Sequence, residues 1–152
     1  MSEAVASGQW SVISKILRTN DPGESGTVTN LGKVLHYREL IVWQKAMSLA
    51  RNVYEVTGSF PSAERFGLVS QMRRSAVSIP SNIAEGQARR TPGEFAQFLS
   101  YAEGSLAELE TQLLLSVELK FCAKNAAEGH LELVSKVRRM LMALRKRLDT
   151  DH

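Results

Sequence analysis

The fold is decided by the stretch from Arg73 to Phe95, which reads RRSAVSIPSNIAEGQARRTPGEF. Pro80 lies here inside an apolar helical pattern. Because it lacks an N–H and its ring crowds the carbonyl of Ala76, we expect it to kink the helix. The neighbouring serines and Asn82 can partly satisfy a carbonyl freed in this way. The stretch therefore predicts a long, bent helix that ends just before another helix begins.

The start of that next helix is marked by Thr91, Pro92 and Glu94. Thr91 is an N-cap residue, Pro92 stands where a missing N–H does no harm, and Glu94 completes a capping box. The helix is predicted to continue to about Phe121. Two rows of apolar residues repeat along it every seven positions, namely Leu99, Leu106 and Leu113, and Phe95, Ala102 and Leu109. Such a helix is expected to bury against more than one neighbour.

Three further helices are predicted from apolar residues three and four positions apart. The first runs from about Arg38 to Thr57, the second from Ser62 or Glu64 to Arg89, and the fourth from after Asn125 to Leu148. The expected buried positions are Leu40, Trp43, Leu49, Met47, Ala50, Val53, Tyr54 and Val56 on the first helix, Phe66, Val69, Met72, Ala76, Ile79 and Ile83 on the second, and Val134, Val137, Leu141, Leu144 and Leu148 on the fourth.

No strand pattern competes with these helices. Four long amphipathic helices with short connections predict an all-α fold, an antiparallel up-and-down four-helix bundle over residues 37–148 with a short tail, 149–152. Residues 1–36 differ in composition and are expected to form a flexible or loosely docked leader. Trp10, Ile13 and Leu17 fall there at helical spacing, so the leader is either an appendage without function or a peptide that docks its Trp10 face on a neighbour.

Composition and charge describe an ordinary globular chain. Of 152 residues, 43% are hydrophobic and 23% charged, and the formal net charge is +3. The single cysteine, Cys122, excludes an intramolecular disulfide and suits a reducing compartment. No apolar run approaches the roughly 18 residues that span a bilayer, and Glu3 stands where a secretory signal carries positive charge. We therefore expect a cytoplasmic protein without a membrane partner.

Catalytic patterns are missing from the sequence. A di-iron bundle needs Glu-x-x-His pairs on two helices, and neither that spacing nor His-x-x-x-His occurs. Gly86 and Gly93 lack the Lys-Ser/Thr partner of a phosphate-binding loop. Glu128, His130 and Glu132 are most simply a solvated first turn. We predict no catalytic residue, no metal site and no cofactor, and thus a non-enzymatic protein.

Basic residues are segregated by helix and form the candidate site. They are Arg73, Arg74, Arg89 and Arg90, which bracket part of the second helix, and Lys136, Arg138, Arg139, Arg145, Lys146 and Arg147 on the fourth. Glutamates concentrate instead on the third helix. Three interpretations stay open: pairing within the bundle, pairing between subunits, or a surface that binds the phosphates of RNA or DNA.

The chain resembles a known family of small four-helix-bundle proteins encoded within 23S ribosomal RNA intervening sequences, which includes the accessory variability determinant proteins of diversity-generating retroelements. The resemblance covers Tyr37–Leu148. It rests on YRELIVWQKAMSLA (Tyr37–Ala50), QMRRSAVSIPSNIAEG (Gln71–Gly86), EFAQFLSYAEGSLAELETQL (Glu94–Leu113) and the apolar row of the fourth helix. Residues 1–36 lie outside it.

This resemblance implies a bundle that assembles with itself into a ring, typically a homopentamer, and a non-enzymatic role. In the retroelement branch it also implies nucleic-acid binding through a basic surface and contact with a reverse transcriptase. The residues that would carry the binding here are the ten cations named above. The chain departs from that branch in charge, because the retroelement proteins are strongly basic and this one carries only +3. The alternative is a purely structural or protein-binding oligomer.

Overall fold

The computed structural model describes residues 36–150, and its long elements are four α-helices. Within those residues no strand occurs, so the all-α prediction is confirmed. The leader, with Trp10, Ile13 and Leu17, lies outside the described residues except for His36, as do Asp151 and His152 of the tail. The helices are α1 (Ile41–Thr57), α2 (Leu68–Gln87), α3 (Pro92–Glu118) and α4 (Lys124–Thr150).

Local capping fixes the start of α3. The Thr91 hydroxyl accepts a hydrogen bond from the Glu94 N–H at 3.2 Å, and the Glu94 carboxylate accepts one from the Thr91 N–H at 3.2 Å. The predicted capping box is thus confirmed. A 3₁₀ turn, Tyr37–Glu39, precedes α1. The Glu39 carboxylate accepts a hydrogen bond from the His36 N–H at 3.1 Å, and the His36 ring accepts one from the Arg38 N–H at 3.4 Å. This turn is why α1 begins at Ile41 rather than at Arg38.

The second helix begins later than its sequence pattern suggests. A 3₁₀ turn, Ser62–Glu64, precedes it, and α2 starts only at Leu68, after Gly67. Phe66 falls in the intervening turn and is 88% exposed, so the prediction that it marks the buried side of the helix is wrong. Outside a helix, the 3.6-residue period no longer determines which way a side chain faces. Pro80 lies inside α2, and the kink there stays a prediction.

The core is centred on α3, which packs against both α2 and α4. Both predicted rows of α3 are buried. The predicted row of α4 is buried as well: Val134, Val137, Leu141, Leu144 and Leu148. Alpha-helix α1 completes the bundle by packing on α2 and α4.

Part of the predicted buried face of α1 is on the outside. Leu49, Ala50 and Val53 are buried, but Met47 is 39% and Tyr54 48% exposed. The prediction of burial is wrong for these two residues. The sequence offers more apolar positions than one helix face can bury against two neighbours, and packing against α2 and α4 selects among them.

Helices α2 and α3 approach each other closely at Gly86 and at Ser78. A Cβ added to Gly86 would lie 2.6 Å from Cβ of Phe98 and 2.9 Å from Cδ2 of Phe95. Farther along, the hydroxyls of Ser78 and Ser105 are 2.8 Å apart. Small residues at these positions therefore set the distance between the two helices.

Candidate nucleic-acid interface

At the start of α2, one of the two neighbouring arginines is used within the bundle. Arg73 Nε donates to the Thr57 hydroxyl at 3.0 Å, and its Nη2 donates to the carbonyl of Tyr54 at 3.3 Å. Its guanidinium also lies 4.5 Å from the centre of the Tyr54 ring. A cation at the last carbonyls of α1 is favourable, because that end of a helix is negative. Arg74 is exposed and is a better candidate for an external anion.

Of the two arginines that follow α2, Arg89 and Arg90, again only one is engaged within the bundle. Arg89 forms an ion pair with Glu85 at 3.2 Å, and its guanidinium lies 4.6 Å from the centre of the Phe98 ring. Arg90 follows in the turn before α3 and is exposed. Among residues 36–150, neither Arg90 nor Arg74 has an ion-pair partner. Each doublet therefore contributes one engaged and one available cation.

Two of the arginines on α4 face glutamates on α3. Arg138 is paired with Glu110. Arg145 Nε and Nη2 donate to the two carboxylate oxygens of Glu103 at 2.7 and 3.4 Å, a forked geometry that only arginine can provide. The side chain of Glu103 is only 17% exposed, so the guanidinium of Arg145 replaces part of the water that its carboxylate loses. For these two arginines, pairing within the bundle explains the segregation of charge.

The remaining cations of α4 point away from α3. Lys136, Arg139 and Lys146, which we call the outer α4 stripe, are exposed. On an ideal helix they fall within an arc of about 80° and extend over about 15 Å. Arg139 Nη1 donates to the Ser135 hydroxyl at 2.9 Å, which leaves its charge unneutralised. No Asp or Glu occurs between Glu132 and Asp149.

Arg147 lies beside the outer α4 stripe and is half-buried. Its position at the edge of the stripe follows from the spacing, since it is adjacent to Lys146 and eleven residues beyond Lys136. Because Arg147 is half-buried, it is not one of the cations available to an external anion. Of the ten predicted site residues, the structure brings Lys136, Arg139 and Lys146 together on one surface.

The sequence analysis missed an apolar surface between α1 and α2. This α1–α2 groove has a volume of about 590 Å³ and is lined by Tyr37, Trp43, Met47, Tyr54, Val77 and Pro80 among others. Val77 is 44% exposed. The available signal was the excess of apolar residues on α1, which were all assigned to the core. The groove offers contact to an apolar partner rather than to phosphate.

Titratable groups form no metal-binding cluster within residues 36–150. Burial raises the pKa of the Cys122 thiol, which makes it a poor nucleophile, since the thiolate is the reactive form. In the same part of the chain, none of the helices is both long and apolar enough to cross a membrane.

Comparison with known proteins gives a family and a fold. The model of the 23S rRNA-intervening sequence protein family matches residues 38–143. A solved structure of a protein with unknown function from the S23 ribosomal protein family of Bacteroides thetaiotaomicron is similar, with a TM-score of 0.64 and 21% identity over 70% of this chain and 99% of that one. At this identity the likeness shows the fold alone. No curated protein matches the chain.

Proposed function

Because the chain belongs to the 23S rRNA-intervening sequence protein family, we propose that it is a non-enzymatic, oligomeric helical bundle that binds RNA or DNA through backbone phosphates. The observation that carries this proposal is the outer α4 stripe. Its three cations are exposed and have no carboxylate partner among residues 36–150. Lys and Arg placed in this way release counterions from a polyanion and bind it without reading its sequence.

The proposed bundle has its helices running up and down in antiparallel order. Two ion pairs support this arrangement. Seven residues forward along α4, from Arg138 to Arg145, correspond to seven residues backward along α3, from Glu110 to Glu103. Helices that run in opposite directions produce such a register. In this arrangement the outer α4 stripe lies along one long side of each protomer.

Self-association is the second part of the proposal. Leu115 and Leu119 are 42% and 48% exposed and, four residues apart, lie on the same side of the last turn of α3. Exposed apolar residues that adjoin one another are typical of interaction surfaces. In a ring, with the pentamer as the expected size, several copies of a three-cation stripe would act together, and multivalency would raise the overall affinity without new contacts.

Localisation and further partners belong to the proposal as well. We propose a cytoplasmic protein, because a chain with a single cysteine gains nothing from an oxidising compartment. Contact with a reverse transcriptase, which the resemblance to the retroelement branch implies, stays a prediction.

A mobility-shift titration tests the phosphate contacts. Single-stranded RNA and duplex DNA of equal length are titrated at two salt concentrations with wild type and with Arg139→Ala/Lys146→Ala. Each lost phosphate contact should flatten the dependence of log affinity on log salt by about 0.9 for duplex DNA and about 0.7 for single strands. The double variant should therefore lose about twice these values for each protomer that contacts the probe.

A matched variant controls for net charge. Lys45→Ala/Arg65→Ala also removes one lysine and one arginine. Neither residue belongs to an arginine pair of α2 or to the outer α4 stripe. Its salt dependence should equal that of wild type. Wild type that fails to bind either probe at low salt would contradict nucleic-acid binding, as would equal losses in the two double variants.

A purely structural or protein-binding oligomer is the second candidate. It is favoured by the observation that Arg73, Arg89, Arg138 and Arg145 already have partners inside the protomer. Under this alternative, the available cations pair with glutamates of neighbouring copies. Sedimentation would then show an oligomer that dissociates as salt rises, while neither probe binds at any salt concentration.

A further inference from the structure

We propose that the α1–α2 groove binds the N-terminal segment of the same chain, through the apolar side that Trp10, Ile13 and Leu17 share. The inference goes beyond the proposed function and does not depend on nucleic-acid binding. It rests on an unpartnered apolar groove, on the point at which the chain enters it, and on the pattern of the segment that precedes that point.

The α1–α2 groove is open to solvent and lined mainly by apolar side chains. Met47, Tyr54 and Val77 line it and are each 39–48% exposed. Its lining also includes Pro80, Ser81 and Ala84. These short side chains leave room between the two helices, so a large side chain from elsewhere can enter.

The chain enters the described structure at the wall of this groove. Tyr37 lines it and packs edge-on against Trp43, with ring centroids 5.3 Å apart. His36, immediately before, caps the 3₁₀ turn, which packs on both α1 and α2. The 35 residues that precede His36 are therefore tethered at the end of the groove.

The tether has the right length. From Leu17 to His36 the chain advances nineteen residues, through a stretch rich in Gly, Ser, Asn and Asp. The average end-to-end distance of a Gly/Ser-type linker of nineteen residues is about 22–26 Å. The groove from Trp43 to Tyr54 extends over about 16 Å of helix, so all of it is within reach. A tether of this kind produces a local concentration in the millimolar range, which favours the chain's own segment over a free partner.

The segment also matches the groove in chemistry. Trp10, Ile13 and Leu17 would line one side of two helical turns, about 10 Å long. An indole buries a large apolar area but needs an acceptor for its N–H. Glu55, on the rim of the groove, can supply a carboxylate oxygen.

Tryptophan fluorescence of the full chain tests the proposal. The chain has two tryptophans, so Trp43→Phe leaves Trp10 as the only one and retains an aromatic ring in the groove. Acrylamide quenching of Trp10 is compared in this background alone, with Val77→Asp, and with Met142→Asp. Met142 is 49% exposed and lies on α4, outside the groove, so it is the matched control. Circular dichroism verifies that each variant is folded.

We expect Trp10 to be shielded in the background and in the Met142→Asp variant. In the Val77→Asp variant its quenching constant should rise at least about twofold, because a docked side chain loses most of its solvent contact. Shielding must persist on dilution. Equal quenching in all three proteins would overturn the inference, as would shielding that Val77→Asp leaves intact. Shielding that disappears on dilution would also overturn it and would assign the groove to a second copy.

Discussion

Replacing Gly86 by alanine should lower the free energy of unfolding, although alanine is the better helix former. Gly86 is buried in the last turn of α2. A Cβ built there lies 2.6 Å from Cβ of Phe98 and 2.9 Å from Cδ2 of Phe95. Carbon atoms pack best at about 3.5–4.0 Å. The Phe95 ring can turn aside, but Cβ of Phe98 is fixed to the backbone of α3, so the helices must move apart by about 1 Å.

The magnitude follows from two opposing effects. Replacing glycine by alanine gains about 1 kcal/mol in a helix interior, and this is an upper limit for Gly86 in the last turn. Overpacking a close contact typically costs about 1–3 kcal/mol, and the fixed position of the Phe98 Cβ argues for the upper half of that range. The net loss should be about 1–2 kcal/mol, which corresponds to a fall of roughly 2–8 °C in the midpoint of thermal unfolding for a chain of this size.

Urea denaturation followed by circular dichroism measures this difference. Gly104→Ala is the matched control, because beyond its chain neighbours and the backbone of its own helix no atom lies within 4 Å of the position of its Cβ, and the residue is exposed in the middle of α3. It should gain up to about 1 kcal/mol. All proteins are compared at one concentration, since self-association would shift apparent stability.

The sign of the difference between the two variants decides the matter. If Gly86→Ala unfolds at the same urea concentration as wild type or above it, the close approach of α2 and α3 at this point is not a constraint. If Gly104→Ala is destabilised as well, the loss of stability in Gly86→Ala cannot be assigned to the contact with Phe98, and the steric argument fails.

Three further predictions concern capping, a cross-helix ion pair and the cysteine. Thr91→Ala should cost about 1 kcal/mol of unfolding free energy because it removes the capping box, whereas Thr111→Ala, the same change inside α3, should be neutral or stabilising by about 0.5 kcal/mol; urea denaturation measures both. Arg145→Ala should cost about 1–2 kcal/mol because it leaves the carboxylate of Glu103 without its partner, and Arg145→Lys should recover only part of this; equal stability of all three proteins would contradict it. Because burial raises the pKa of the Cys122 thiol, the folded chain holds that proton more tightly than the unfolded chain. The free energy of unfolding should therefore fall as pH rises from the thiol's ordinary pKa through its raised pKa in the folded chain, and Cys122→Ser should make this fall smaller in a pH series.

Features set by a few neighbouring residues were predictable from the sequence. The N-terminus of α3 depends on Thr91, Pro92 and Glu94, whose contacts are all within one turn. The two seven-residue rows of α3 were also predictable, because a helix that is apolar on two sides must be central to a bundle. These inferences needed no knowledge of where any other helix lies.

Tertiary packing decided which side chains form ion pairs and which apolar residues are buried, because residue spacing alone does not determine either. Arg138 and Arg139 are adjacent in the sequence, yet one pairs with Glu110 and the other remains on the surface. Met47 has the spacing of a core residue but lies in the groove, because α1 has more apolar positions than its two neighbours can cover. A sequence fixes the angular position of a side chain on its own helix, whereas its partner depends on how that helix is rotated and placed against the others. The α3 N-terminus therefore followed from local chemistry, whereas the outer α4 stripe and the α1–α2 groove depend on how the four helices pack together.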